Sequence, residues 1–384
     1  MTRTALEGLG ETLSAIDEVV IEATGNCMAV SRVLSPFVRR VVIANPLQVK
    51  ATAQAHVKTD KIDAGTLANL YAASYLPEIW TPDAATERMR RLEARRYQVV
   101  RHRTRIKNEV HSILHAHLIP KCPHADLFNG RGRDWLKRQP VPEDEQIAIE
   151  RYVRELDRLG EDLAVLDRQI AESTMDDPAV RRLLTITGVN SPVATGLLAA
   201  VGDIRRFKSP QKLVSYVGLN PRVRQSGLGA AHHGRISKIG RSHARAMLVE
   251  AAWAAAKAPG PLGPLHAFSV RVMARRGHQV AAVAIARKLT VLVWHMLTKE
   301  ADYLWACPSL VAHKMRAMEL QAGKPQKKGN KPGPAYTYNI KKLRDQEMHL
   351  AEQAQRSYER FVETWRPRPP NQKVRGRLNP TRLE

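Results

Sequence analysis

Three carboxylates and one hydroxyl stand where they could do phosphoryl chemistry. Glu22 closes the β-branched run Val19-Val20-Ile21 and precedes Ala23-Thr24-Gly25. A carboxylate at the carboxyl end of a strand points into the crevice where α/β folds place their sites. Asp60 and Asp63 lie three apart in Lys58-Thr59-Asp60-Lys61-Ile62-Asp63-Ala64, on one face if that segment is helical. Convergent carboxylates repel one another and would repel a polyanionic substrate. A hard divalent cation, magnesium or manganese, resolves both conflicts, and two such ions could clamp the attacking and leaving oxygens of a phosphodiester. Taken singly, Thr59 or Asp60 reads equally well as a helix cap, and the pair as solvated surface.

The hydroxyl is Ser226, in Gly218-Leu219-Asn220-Pro221-Arg222-Val223-Arg224-Gln225-Ser226-Gly227-Leu228-Gly229. Small neighbours let a phosphodiester approach, and Arg222 and Arg224 could hold the phosphate and stabilise its transition state. Serine is a weak nucleophile and needs activation from nearby. A Ser-Gly pair is otherwise simply a turn. Farther on, Gly234-Arg235-Ile236-Ser237-Lys238-Ile239-Gly240-Arg241 offers Lys238 and Arg241 as phosphate contacts. Leu183 to Ala194 has the grammar of a helix–hairpin–helix, whose turn and second helix present backbone N–H groups to phosphate. Asn190 stands there at the usual second glycine and is a residue that can adopt the left-handed conformation. An ordinary αα-hairpin has the same pattern.

These residues need elements to position them. Val19–Ile21 and Arg40–Ala44 read as strands, Asn26–Leu34 and Asp60–Ala73 as helices, and so a strand–helix–strand unit. Two strands alone make a marginal sheet. Met89, Leu92, Arg96, Val99, Arg103, Ile106, Val110, Ile113 and His117 form one heptad seam. A second runs from Ile149 through Tyr152, Leu156, Leu159, Leu163 and Leu166 to Ile170. The pair predicts an antiparallel hairpin or a dimerising coiled coil, with Arg96 and Arg103 in the first seam weakening it or facing an acidic partner. Between Arg88 and Lys107 there are nine basic residues, Arg95, Arg96 and Arg103 among them, and one acid, Glu93. Such a stripe looks like a phosphate-contacting surface. Lys324 to Gly333 is low-complexity and basic and reads as a flexible linker or arm, one further helix is expected over Ile340–Trp365, and the last twenty residues are expected to be disordered when free.

Composition agrees with a polyanion partner. The chain has 384 residues, with 61 Lys plus Arg against 37 Asp plus Glu, a formal charge of +24. An excess this large weighs against a small-molecule enzyme. Aromatic residues are only 5%, which argues against a base-stacking sheet as the main device. Cys27, Cys122 and Cys307 are too scattered for a disulfide framework or a zinc site. Met1-Thr2-Arg3-Thr4 lacks a signal-peptide core, and Ala281–Leu297, interrupted by Arg287, Lys288 and His295, reads as a packed helix; a cytoplasmic location is expected.

Together, Val20 to Gly25, Val42-Ile43-Ala44-Asn45-Pro46 and Lys58 to Ala64 resemble the N-terminal domain of the DEDD-type insertion-sequence transposases, relatives of the pilin-gene invertases. Leu183 through Gly218-Leu219-Asn220-Pro221, Gln225-Ser226-Gly227 and Ile236 to Gly240 resemble their C-terminal transposase domain. The resemblance implies an α/β plus α fold: a partial RuvC-like (RNase H-like) domain over 1–84, a coiled-coil helical hairpin over 85–177, a mainly α transposase domain with a helix–hairpin–helix over 178–300, and a basic tail over 301–384. It matches Glu22, Asp60 and Asp63 to the second, third and fourth acidic metal ligands, for Mg2+ or Mn2+, and Ser226 to a serine that forms a phosphoserine link with DNA. It implies DNA as partner and a homodimer or homotetramer, and some members are guided by a non-coding RNA. The family's first Asp, on an opening strand in a Gly-Ile-Asp-like pattern, has no counterpart here; Asp17 lies in the wrong segment, and by analogy the chain begins late. The function expected is a transposase or site-specific recombinase. The alternatives are a metal-dependent junction nuclease, in which water attacks, and a decayed nucleic-acid-binding protein.

Overall fold

The computed structural model describes residues 2–46, 48–49, 59–227, 229–257, 263–325 and 341–364. They are mostly helical, with small sheets, and divide into two compact units, Met1–Ala85 and Thr86–Glu384.

The first unit opens with α1 (Arg3–Glu11), whose start is capped by the Thr2 hydroxyl accepting from the Ala5 N–H. The β-branched runs form β1 (Glu18–Glu22) and β2 (Arg40–Ala44), joined by α2 (Cys27–Leu34). They pair in parallel, Glu18 with Arg40 through Glu22 with Ala44, so the strand–helix–strand reading holds. Leu6, Val30 and Leu34 pack under Val19, Ile21 and Val41. Thr59 caps α3 (Asp60–Ala72) by accepting from the Ile62 N–H. This helix buries none of its residues; Tyr71 fastens it by donating to Glu18 Oε2 at 2.6 Å.

In the second unit the heptad seams become α4 (Ala84–Ala116) and α6 (Glu143–Thr174), with the short α5 (Gly130–Leu136) between them. Ile106 packs with Leu156 and Leu159, and Val110 and Leu114 with Ile149. Rising numbers on one helix meet falling numbers on the other, so the seams close within the chain as an antiparallel hairpin. The seam arginine Arg96 meets an acidic partner inside that hairpin: its Nε lies 2.5 Å from Asp167 Oδ1.

Beyond the hairpin come α7 (Pro178–Leu184), α8 (Ser191–Val201), α9 (Pro210–Tyr216), the strands β3 (Pro221–Arg224) and β4 (His232–Ile236), α10 (Ser242–Lys257), α11 (Gly263–Arg276), α12 (His278–Lys299), α13 (Pro308–Gln321) and α14 (Lys341–Thr364). Helix α12 is apolar and long enough to cross a membrane, but Ala282, Ile285, Ala286, Leu289 and Val293 are buried at the centre of the largest core, with Leu183, Ile186, Leu248 and Ala252 around them. Alanines on α10 let its neighbours approach closely. At the α7–α8 turn Gly188 has φ +88°, and a Cβ there would run into the Ala251 carbonyl and lie 2.7 Å from the Ala255 nitrogen. The left-handed residue of the turn is thus Gly188. Asn190, for which that conformation was open, is extended (φ −101°, ψ 179°), and its side chain caps α8 by accepting from the Val193 N–H.

The expected C-terminal helix is α14. It is anchored by the buried Glu347, which accepts from the Ser309 N–H at 2.7 Å and from its hydroxyl, so capping the start of α13. Lys314 of α13 donates to the Leu184 and Ile186 carbonyls, 2.8 Å each, closing the end of α7. Burial pushes its pKa down to about 8. The stretches 326–340 and 365–384, which hold all but the first two residues of the low-complexity segment and the end of the tail, lie outside the described residues.

Two outcomes follow from this packing. Gly188→Ala meets both a positive φ and a filled space, and should cost at least about 2 kcal/mol of unfolding free energy in a denaturant titration. For Lys314, the unfolded chain binds more protons than the folded one between about pH 8 and the ordinary lysine value of 10.5. Stability from this group therefore rises with pH across that window. Lys314→Met should abolish that rise, read from denaturation midpoints at pH 8 and pH 10.

Candidate active site

Ser226 lies in the loop between β3 and β4, which pair antiparallel, Arg224 opposite His232, with a bulge between Pro221 and Val223. Gly227 turns the chain at φ +56°, with nothing within 4 Å of where a Cβ would be. Gln225 Nε2 donates to the Gly229 carbonyl at 3.0 Å and steadies the tip. Ser226 is exposed, and among the described residues no side chain is hydrogen-bonded to its hydroxyl. Arg222 and Arg224 are exposed and two apart on one strand, hence on the same face. Val223 is 54% exposed, so this ribbon stands clear of the core. The loop thus exposes a hydroxyl and, on the strand leading to it, two arginines, of which Arg222 also donates through Nη2 to the Ser237 carbonyl at 3.4 Å.

The ribbon's base is locked. Lys238 takes the left-handed conformation (φ +58°), unusual for a residue with a Cβ. Its N–H donates to the Gly218 carbonyl and its own carbonyl accepts from Arg245. A Cβ at Gly240 would strike the Tyr216 carbonyl. Arg241, also exposed, donates through Nε to Tyr216 Oη at 2.9 Å. Arg206 sits 4.5 Å from the Tyr216 ring centre, and Arg90 donates to the Ala199 and Ala200 carbonyls at the end of α8. Burial alone would raise the Tyr216 pKa, but the charges of Arg241, Arg206 and Arg90 outweigh it and hold the phenol below its ordinary value.

The stripe on α4 is thinner than its composition suggests. Arg95 is exposed, as are Arg88, Arg101 and Arg105. Three others turn inward. Arg90 caps α8, Arg96 is ion-paired with Asp167 and only 20% exposed, and Arg103 is half-buried beside Asp157. Arg96 and Arg103 therefore depart from the picture of an open phosphate surface, because seam positions face the second helix. Glu93, the lone acid of that span, is buried and accepts from the Thr195 hydroxyl at 2.6 Å. Burial pushes its pKa up, opposed by that bond. Its place beside the seam residue Leu92 is the signal that could have marked it as inward.

Glu22 ends β1 exposed, and Asp60 and Asp63 are exposed in the first turn of α3. Lys58 lies outside the described residues. Among the described residues no three His, Cys, Asp or Glu side chains gather as a set that could hold a metal ion. The oxygen donors have the right chemistry for a hard cation, but as placed they do not fit one. The three cysteines are free thiols.

Comparison with known proteins covers both units. A family model described as the transposase IS116/IS110/IS902 family matches residues 180–264, and a DEDD-type transposase model matches residues 2–119. The first span includes Ser226 and all four basic candidates around it; the second includes Glu22, Asp60 and Asp63. A DEDD transposase domain implies divalent-metal dependence in general. A probable family 20 transposase of Pseudomonas aeruginosa is 27% identical over 302 residues, covering 74% of this chain and 85% of its own. The transposase for insertion sequence element IS1111A of Coxiella burnetii is 25% identical over 294 residues, 74% of this chain and 79% of its own. The pilin gene-inverting protein of Moraxella bovis is 27% identical over 239 residues, 60% and 64% respectively.

The half-buried ion pair that closes the hairpin is open to direct measurement. Asp167→Ala should destabilise the protein by roughly 1.5–3 kcal/mol, the range for a hydrogen bond to a charged group. Asp162→Ala, which removes the looser, exposed partner of Arg158, should cost less than about 1 kcal/mol. Equal losses would deny Asp167 its role.

Proposed function

For a chain that carries the two transposase domains of the IS110/IS116/IS902 family, and so is a DNA transposase or recombinase enzyme, we propose that strand transfer runs through a phosphoserine at Ser226. The observation that carries this reading is the exposed hydroxyl at the tip of a projecting ribbon, with the exposed Arg222 and Arg224 on the strand that leads to it. In the first transfer Ser226 Oγ attacks phosphorus. The Oγ–P bond forms and the P–O bond to one deoxyribose oxygen breaks. The serine proton departs and the released deoxyribose oxygen takes one up. In the second transfer the hydroxyl of another strand end attacks the phosphoserine, the Oγ–P bond breaks, and the serine regains its proton. Each broken phosphoester is replaced by another, so no nucleotide triphosphate is consumed.

Arg222 and Arg224 are suited to the non-bridging oxygens, where charge accumulates as phosphorus becomes crowded. Lys238 and Arg241, at the locked base of the ribbon, are read as contacts to flanking phosphates. Arg95 adds sequence-independent contact from α4. Arg96 and Arg103, assigned from the sequence to the same work, act in this reading by holding the hairpin that carries Arg95.

The first unit is read as a partial RuvC-like domain, a reading supported by its parallel pair and α2 crossover. Glu22, Asp60 and Asp63 are read as its acidic ligands for Mg2+ or Mn2+ on the strength of the resemblance. They are not gathered about one point, so the transfer steps above involve only Ser226 and its basic neighbours. Assembly as a dimer or tetramer, and guidance by a non-coding RNA, are further parts of the reading; the net charge of +24 leaves ample capacity for a second polyanion. A cytoplasmic location completes the reading.

The test is covalent chemistry. Wild-type protein incubated with DNA carrying its recombination site should give a denaturation-resistant adduct, with mass spectrometry locating phosphate on Ser226. Ser226→Ala should bind the same DNA and give none. Free DNA ends without attached protein would point to attack by water, and an adduct formed by Ser226→Ala would contradict the assignment.

A further inference from the structure

A groove of the second unit, lined by none of the residues of the Ser226 ribbon, has a volume of about 1010 Å³. One wall is the face of α4 from Arg96 to Glu109, roughly 20 Å of helix at 1.5 Å per residue. The start of α8 and the outer face of α10 form the other wall. This groove lies within one compact unit.

Its chemistry is uneven in a telling way. Tyr97 of α4 and His243 of α10 are stacked in it, ring centres 4.0 Å apart at 30°. Burial, helped by the charge of Arg96, lowers the His243 pKa, so near neutral pH the imidazole is an uncharged aromatic surface. Beside the stack stand Arg101 and Arg105, both exposed and neither in an ion pair among the described residues. They are four apart on the helix, where like charges repel. Their spacing of about 6 Å along the axis is comparable with that of neighbouring phosphates in an extended strand. Thr104 and Asn108 add hydrogen-bonding groups on the same wall, and Glu109 and Glu250 are the groove's carboxylates.

Building on the reading of the chain as a DNA recombinase, we infer that this groove holds an unpaired polynucleotide strand, with phosphates on Arg101 and Arg105 and a base against the Tyr97–His243 stack. Stacking on aromatic rings requires bases freed from a duplex. An acidic peptide would use the two arginines and leave the stack without a role. Recombination necessarily exposes unpaired strands when ends are exchanged, and an RNA strand offers the same phosphates and bases. The assignment therefore concerns the chemistry, and the source is to be separated by experiment.

The experiment measures fluorescence anisotropy of the full chain with labelled oligothymidylate, oligouridylate of the same length, and a blunt duplex. Arg101→Ala/Arg105→Ala should weaken binding of at least one single strand by about tenfold or more and flatten its salt dependence by about 1.4 in log–log slope, two phosphate contacts at about 0.7 each. The duplex should be affected by about twofold or less. Arg131→Ala/Arg154→Ala removes the same charge from exposed sites outside the groove and should change little. Loss for oligothymidylate assigns the groove to DNA strands, and loss for oligouridylate alone assigns it to RNA. Ultraviolet crosslinking of the wild-type protein should place the strand on peptides containing Tyr97 or His243. Unchanged single-strand affinity, an equal loss for the duplex or for the outside pair, or crosslinks elsewhere would overturn the inference. Ser226→Ala should bind the single strands as wild type does. A groove that binds while wild type forms no adduct defeats the strand-transfer reading alone, and an adduct with no groove binding defeats this one alone.

Discussion

The second unit depends on neutralising a helix too positive to pack. Between Arg88 and Lys107 helix α4 carries nine basic side chains, and a rod so charged would not settle against an apolar core unaided. Three contacts resolve this. Arg90 delivers its guanidinium to the carbonyls at the end of α8, where the helix dipole is negative. Arg96 meets Asp167 across the hairpin, and Glu93 enters the core against Thr195. With the rotation of α4 about its axis fixed by these three, Arg88, Arg91, Arg95, Arg101 and Arg105 are left facing solvent. Packing thereby selects which charges are available to a nucleic acid.

The same logic shapes the ribbon. A two-stranded hairpin has little core of its own, and β3 and β4 gain stability from their base. Gly218 and Gly240 permit backbone approaches that a Cβ would block, and Lys238 is held in a conformation costly for its type. Tyr216 and Arg241 clasp the two segments from outside. A firm base beneath an exposed, glycine-turned tip is what the proposed attack by Ser226 would require.

Much of this was legible because it is local. Short β-branched runs identified β1 and β2, Thr59 or Asp60 offered a cap for the start of α3, and three–four spacing drew both long helices. What stayed hidden is long-range. The seams could have joined two chains, and only pairings such as Ile106 with Leu156 show that they close within one. A count of basic residues on α4 could not tell Arg95 from Arg96, since the difference is an aspartate 71 positions away. Tyr216 and His243 gave no motif, because their surroundings come from distant helices. The carboxylates Glu22, Asp60 and Asp63 were conspicuous by type, yet type does not determine convergence, and among the described residues they remain separate.

Glu347 gives the C-terminal helix a significance beyond its length. Its carboxylate reaches back 38 residues to cap α13, and α13 in turn supplies the lysine that closes α7. Proteolytic clipping ahead of α14 would strip the cap from one helix and weaken the support of another, so damage at the periphery would travel inward toward the turn at Gly188. The helix within the basic tail is, mechanically, the last link of a chain of latches running into the main core of the second unit.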